Sequence, residues 1–295
     1  MIKAVIDIGT NSVRLLVADN KKAILKQLKT TRLGEGICKS NIMSASAMAR
    51  TADAVAEFVQ KAKKLESEQI FIYATAMVRE SSNRNEFVEL VKKRTGITLE
   101  VISGEIEAQI AYLGAAEGRE GYAVIDIGGG STEVVTRIGN NFNALSLKVG
   151  CVRLKESFAS EEGTVDVLTV KNYVKKHFIP KFDFAAADGV RGLIGVSGTP
   201  TTLASFAQNL KNYSPQRVQD YVLTLDKIKE LTAFLAQMNN EQRREYSGEF
   251  EPRADIIVFG AVFLEAFMEY YGFGQILVSD RDSLEGFLEY KEETR

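Results

Sequence analysis

Short apolar runs broken by turns of glycine and small hydroxyl residues open this chain, and stretches with apolar residues every three or four positions follow them. Ala4-Val5-Ile6-Asp7-Ile8 is a continuous β-branched run that ends in Gly9-Thr10-Asn11-Ser12, and a second apolar run begins at once. Such runs bounded by turn residues predict strands. Residues 45–65 change period: Met48, Ala52, Val55, Val59, Ala62 and Leu65 fall on one helical face, with Ser44 placed to cap it. A strand is predicted at 70–74, a helix through Phe87, Leu90 and Val91 stopping at Gly96, a strand at 97–102 and a helix after Ser103-Gly104. Further on come a helix at 165–177, a strand at 193–197, a helix after Gly198-Thr199 and another at 226–238. The last elements are a helix from Pro252 to Tyr271 with Gly272 past its end, a strand at 275–279 and a helix from Ser283. Strands alternating with helices place the chain in the α/β class.

The pattern also repeats. Residues 4–9 and 123–128 both read Ala-Val-Ile-Asp-Ile-Gly. At the same offset Ser12 meets Ser131 and Lys29 meets Lys148, while Arg32-Leu33 resembles Arg153-Leu154 slightly further on. Six matched residues at equivalent places imply two related domains. They are set at 1–118 and 119–295, with packing of the last helix back on the first domain left open, and the cleft between them is the expected ligand site. A length of 295 residues accommodates this.

Bulk properties narrow the functions. The net charge of −2 supplies no general basic field, so neither nucleic acid nor a membrane is an expected partner, and any anionic ligand must be met locally. The two cysteines, Cys38 and Cys151, form no CxxC pair and read as buried or idle thiols in a reducing compartment. A single histidine, His177, excludes histidine-rich zinc sites and reads as a surface residue near a helix end. The first residues show no signal peptide and no apolar stretch is long enough to span a bilayer, so a cytoplasmic location is expected.

The candidate chemistry lies in the turns. Asp7-Ile8-Gly9-Thr10-Asn11-Ser12 and Asp126-Ile127-Gly128-Gly129-Gly130-Ser131-Thr132 are strand–turn–strand segments whose small residues let backbone N–H groups converge on an anion. An Asp at each strand end can hold a hydrated Mg²⁺ beside phosphate oxygens. No P-loop sequence occurs, and a strand rather than a helix follows each turn, which argues against a dinucleotide fingerprint. A plain hairpin turn is the competing reading of either copy; the duplication favours the anion-binding one. Ser197-Gly198-Thr199 closes a strand and opens a helix, as a third anion or nucleotide loop or as an ordinary helix cap. Glu105 and Glu107 both lie in the first turn of a helix, where acids are favoured anyway; either could be a general base for water, and the residues alone do not choose. Arg14, Arg32, Arg79, Arg153, Arg253 and Arg281 cluster around these elements; Arg14 and Arg79 are the leading candidates for gripping a phosphoryl group, while Arg281, between two aspartates, reads as structural.

These residues resemble a known family. Asp7–Leu15 (DIGTNSVRL), Arg32–Ile37 (RLGEGI), Ala74–Asn83 (ATAMVRESSN), Ile102–Ala108 (ISGEIEA), Val124–Glu133 (VIDIGGGSTE), Val149–Leu154 (VGCVRL), Gly195–Thr199 (GVSGT), Arg253–Asp255 (RAD) and Val278–Arg281 (VSDR) are similar, in order, to the exopolyphosphatase/pppGpp phosphohydrolase (Ppx/GppA) family. The resemblance implies a duplicated actin-like ATPase fold of two domains, Mg²⁺ dependence, hydrolysis in the cleft, and a homodimer. It implies Glu107 as the base, since Glu105 falls on a variable position; Asp126 and Glu133 at the metal or its hydration shell; and Arg79 on phosphate. Asp7, at the end of the first strand, is expected from the residues to support the metal. Ile106 and Gln109 depart from the family's Glu and Arg. Longer members carry a further C-terminal helical region, so this chain looks like a short, two-domain member. The expected reaction is release of the terminal phosphate of inorganic polyphosphate, with pppGpp 5′-phosphohydrolase activity as the close alternative. A kinase of the same fold and a catalytically weak alarmone or nucleotide sensor are the other readings.

Overall fold

The structure is a computed structural model, and it describes residues 1–38, 40–183 and 189–294. In chain order the elements are β1 (Ile2–Ile8), β2 (Ser12–Asp19), β3 (Lys22–Thr30), α1 (Ala45–Lys64), β4 (Gln69–Ala74), α2 (Ala76–Glu80), α3 (Arg84–Thr95), β5 (Leu99–Val101), α4 (Gly104–Ala116), β6 (Tyr122–Ile127), β7 (Thr132–Ile138) and β8 (Asn141–Leu147). Then follow α5 (Cys151–Phe158), α6 (Val167–His177), β9 (Gly192–Val196), α7 (Gly198–Ala207), α8 (Pro215–Val218), β10 (Tyr221–Thr224), α9 (Leu225–Gln237), α10 (Asn240–Ser247), α11 (Ile257–Tyr271), β11 (Gln275–Val278) and α12 (Ser283–Glu293).

The chain divides into two compact units, Met1–Gly114 with Ser283–Arg295, and Ala115–Asp282. The division falls at Gly114 rather than at 118, and α12 goes with the first unit. The reason is apolar: Leu284, Phe287 and Leu288 of α12 are buried with Val5, Leu16, Tyr73 and Ile110 in one core. Phe287 stacks on Tyr73 with ring centroids 4.5 Å apart, and Lys3–Glu292 (2.7 Å) and Lys26–Glu285 (3.2 Å) tie the helix to β1 and β3.

Each unit holds one mixed sheet. In the first the strand order is β3-β2-β1-β4-β5; in the second it is β10-β11-β9-β6-β7-β8. The repeat is visible in the pairing. β1 runs antiparallel to β2 and parallel to β4, and β6 runs antiparallel to β7 and parallel to β9. Both central strands are buried over most of their length, which explains runs without polar alternation.

Local signals hold in most places. The Ser44 hydroxyl accepts the Ala47 amide at 3.2 Å and starts α1, and Gly96 and Gly272 stop α3 and α11 in the left-handed conformation. Pro252 does not open α11. It sits inside a short 3₁₀ segment, Gly248–Arg253, and the regular helix starts only at Ile257. β5 is three residues long, shorter than its apolar run. His177 is exposed against the ring of Tyr173. Cys151 is buried, burial pushing its thiol up, whereas Cys38 is exposed. Among the described residues no helix is long and apolar enough to cross a membrane.

Candidate active site

The first turn is held from behind. The Thr10 carbonyl accepts the Gly34 amide at 2.8 Å, and the Asn11 carbonyl accepts the amides of Thr31 (3.0 Å) and Arg32 (2.8 Å). In a planar trans peptide the C=O of one residue and the N–H of the next point in opposite directions. With these carbonyls fixed on segment 31–34, the amides of Asn11 and Ser12 face away from it. Gly34 is needed for the close approach, since a Cβ there would stand 2.2 Å from Thr10 Cγ2. Thr10 and Ser12 are buried, and the Asn11 side chain donates from Nδ2 to Ser12 Oγ at 3.3 Å.

The second turn is held the same way by the start of α5. Cys151 N–H donates to the Gly128 carbonyl (2.9 Å), Val152 N–H to the Gly129 carbonyl (2.9 Å), and Arg153 Nε to the Gly130 carbonyl (2.8 Å). The amides of Gly129, Gly130 and Ser131 therefore face away from α5, which is the arrangement of an anion-binding nest. Thr132 Oγ1 donates to the Val149 carbonyl at 2.7 Å and closes the base of the turn. The Val149–Leu154 segment, which carried a motif without an assigned role, is thus the prop of this turn.

The third loop is no ordinary cap. Ser197 has φ 65°, ψ −162°, a region populated almost only by glycine, and its side chain makes no capping bond to its helix. Its hydroxyl donates instead to Asp126 Oδ2 at 2.9 Å. Gly198 packs against the Arg253 guanidinium so closely that a Cβ would stand 1.5 Å from Nη1. Thr199 is buried against Cys151, with Oγ1 3.3 Å from Sγ. The start of α7 is so fixed beside the second turn. Arg253, one of six clustered arginines in the sequence, gains its place from Gly198; the absence of a side chain at that glycine is the signal for it.

The carboxylates separate into distinct settings. Asp126 and Glu133 are both buried and lie directly opposite each other in the β6–β7 ladder. Ser146 Oγ donates to Glu133 Oε1 at 2.6 Å, so a polar row Asp126, Glu133, Ser146 crosses three strands on one face. Two acids directly opposite repel, and a hydrated divalent cation fits such a donor pair: Mg²⁺ binds through one or two carboxylates and keeps several waters. Among the described residues no three Asp, Glu, His or Cys side chains gather as a metal cluster. Asp7 differs. Arg14, opposite it in the β1–β2 ladder, donates to Asp7 Oδ2 from both Nε (2.8 Å) and Nη2 (2.6 Å).

In the first unit Glu107 and Arg79 come together. Glu107 is buried and Glu105 exposed. Arg79 Nη1 donates to Glu107 Oε2 at 2.8 Å and to the Ile102 carbonyl at 3.2 Å. Arg79 lies in the last turn of α2, a short helix at the end of β4, so the strand neighbouring β1 delivers the guanidinium to the start of α4. The other arginines do other work: Arg153 props the second turn, and Arg281 pairs with Glu117 at 3.2 Å.

Comparison with known proteins follows the same line. The family model described as the Ppx/GppA phosphatase family matches residues 4–294. The chain belongs to the Ppx/GppA phosphatase family. Exopolyphosphatase 2 of Mycobacterium tuberculosis is 30% identical over 96% of this chain and 96% of its own. The guanosine-5′-triphosphate,3′-diphosphate pyrophosphatase of Aliivibrio fischeri is 31% identical over 90% of this chain but 54% of its own. The bifunctional 3-dehydroquinate synthase/phosphatase of Fusobacterium nucleatum is 33% identical over 97% of this chain and 46% of its own. The chain thus spans about half the length of these last two relatives. A crystal structure of the Aquifex aeolicus Ppx/GppA family member covers the whole chain at 30% identity with a TM-score of 0.82.

As a Ppx/GppA protein the chain has the actin-like ATPase fold, with one mixed sheet in each unit. Ile106 and Gln109, the two departures in the family's glutamate segment, are half-buried on α4 on either side of Glu107 and Ala108.

Proposed function

We propose that this protein is a phosphoanhydride hydrolase that removes the terminal phosphate of inorganic polyphosphate by attack of water. The observation that carries the reading is the pair of duplicated turns, each with its carbonyls bound from behind and its amides directed forward. Neutral backbone donors suit a polyanion, and phosphoryl transfer is served mainly by positioning and electrostatic stabilisation. In this reading the forward-facing amides of Asn11 and Ser12 and of Gly129, Gly130 and Ser131, with the small side chains beside them and the start of α7 at Ser197, Gly198 and Thr199, bind phosphate oxygens; Gly9 and Gly128 close the turns instead, their amides donating to the Ser12 and Ser131 carbonyls at 3.0 Å, and Thr132 is held on Val149. Glu107 orients the water and takes its proton. Arg79, already at Glu107, stabilises charge on the transferred group, and Arg253 beside Gly198 adds a cation at the second turn. Asp126 and Glu133 would hold Mg²⁺, which when bound supplies charge neutralisation for phosphate oxygens.

The match to an exopolyphosphatase over 96% of both chains supports polyphosphate as the substrate. Hydrolysis of pppGpp is the second reading, supported by the similarity to the longer pyrophosphatase. The test is phosphate release from defined polyphosphates and from pppGpp, with and without Mg²⁺, for the wild type and Glu107→Gln. Glu107→Gln is isosteric and leaves Arg79 a hydrogen-bond acceptor, so the fold should persist while kcat drops by about 10²–10⁴-fold. A variant with near-normal kcat removes Glu107 as the base, and no release by the wild type from either substrate removes the hydrolase reading.

A further inference from the structure

The repeat that relates the two turns reverses charge at one position. The offset that carries Asp7 to Asp126 and Ser12 to Ser131 carries Arg14 to Glu133. Both pairs sit in the same place in the ladder: Asp7 is opposite Arg14, and Asp126 is opposite Glu133. One unit therefore presents an acid facing an acid, and the other an acid facing a guanidinium. In the first unit the guanidinium is fixed. Two of its nitrogens donate to Asp7 Oδ2, and Nη2 also donates to Ser283 Oγ at 2.9 Å. Ser283 in turn accepts from the buried Tyr73 hydroxyl at 3.1 Å, and Tyr73 is stacked on Phe287 of the same helix. Asp7 and Ser283 are both buried. An arginine held on two sides in this way is costly to displace, because removing it leaves a buried carboxylate without compensation.

We infer that Arg14 is the built-in counter-cation of Asp7, so that the first turn works without a divalent cation and any such cation is confined to Asp126 and Glu133. This rests on the hydrolase reading above, and in it Asp7 does not support the metal. Arg14 is then a positioning residue rather than a group that grips the transferred phosphate.

The experiment titrates Mn²⁺ into the intact chain and counts bound ions by electron paramagnetic resonance, alongside phosphate release. The wild type should bind a single Mn²⁺ with pyrophosphate present. Asp126→Asn or Glu133→Gln should weaken that binding by about 10–100-fold, while Asp7→Asn leaves both affinity and count unchanged. Arg14→Glu installs the residue found at the equivalent place of the second unit and should add a second bound Mn²⁺. If it fails to fold, the Asp7→Asn titration decides alone. A second ion in the wild type that Asp7→Asn removes, or an affinity loss of about tenfold or more in Asp7→Asn, overturns the inference. Binding of no Mn²⁺ by the wild type also overturns it. Each of these can occur while phosphate release continues, so failure here is distinguishable from failure of the hydrolase reading, which shows as no release from any phosphoanhydride.

Discussion

Replacing Gly150 by alanine tests whether the prop behind the second turn matters for activity. Gly150 has φ −157° and ψ 176°, extended backbone that any residue adopts, so the substitution meets no conformational penalty. Its effect is steric. The new Cβ would lie 2.6 Å from the Gly128 carbonyl oxygen and from the carbonyl carbon and oxygen of Gly129, all backbone atoms that cannot rotate away. Ordinary contacts between carbon atoms lie at roughly 3.5–4.0 Å, so the turn and the start of α5 must separate by about 1 Å. That movement strains the two 2.9 Å bonds that Cys151 and Val152 make to the turn. Overpacking of this size costs about 1–3 kcal/mol, a loss a domain of this size tolerates. A displacement of about 1 Å at a site that works by positioning costs on the order of 10² in rate. The assay is phosphate release from polyphosphate, measured with Mg²⁺ present, beside a thermal melt. Gly274→Ala is the control: nothing lies within 4 Å of its Cβ, so kcat should be unchanged. Wild-type kcat in Gly150→Ala, or a loss of activity no greater than the fraction unfolded, would refute the reasoning.

Two further outcomes are expected. At Ser197 the usual order of alanine over glycine should reverse: both substitutions lose the bond to Asp126, but only glycine relieves the strained backbone, so Ser197→Gly should be more stable than Ser197→Ala by about 1–3 kcal/mol, read from urea unfolding. Equal stabilities would show that the backbone conformation carries no strain. Glu269 gives an acid-side dependence: burial pushes its pKa up, but hydrogen bonds from Lys175, Lys171 and Lys229 outweigh it and hold the group at about 2. Its folded value lies below its ordinary one, so its contribution is complete above about 4.5 and is lost as pH falls towards 2. Glu269→Gln should flatten the fall of the unfolding midpoint over that range, and an unchanged slope would contradict this.

Much of the fold is written in local patterns. Burial on both faces of β1 and β6 gives uninterrupted apolar runs, and Ser44, Gly96 and Gly272 mark helix ends by rules that need only neighbours. Local rules fail where tertiary contact decides. Pro252 suits a first helical turn by itself, yet a 3₁₀ segment carrying Phe250 into the core and Arg253 onto Gly198 takes its place. Ser197 precedes a helix and reads as a cap, but Asp126 on the neighbouring strand claims its hydroxyl. The two acids of α4 look alike in sequence, and burial separates them. Arg14 follows the first turn directly and so reads as a phosphate ligand. Its partner is set instead by ladder register, which places Asp7 opposite it.

The charge arrangement explains how a chain of net charge −2 can be suited to a polyanion. No general field draws such a ligand in, so acids near the turns would repel it unless compensated. Two of the proposed site's acids are compensated within the protein: Asp7 by Arg14 and Glu107 by Arg79, at 2.6 and 2.8 Å. In the proposed reading neutral backbone amides make most of the contacts to phosphate, with Arg79 and Arg253 adding local positive charge. Asp126 and Glu133 place like charges face to face in the β6–β7 ladder. In this reading the requirement for an added cation is local to that pair, and the glutamate that stands where the other unit carries arginine is its origin.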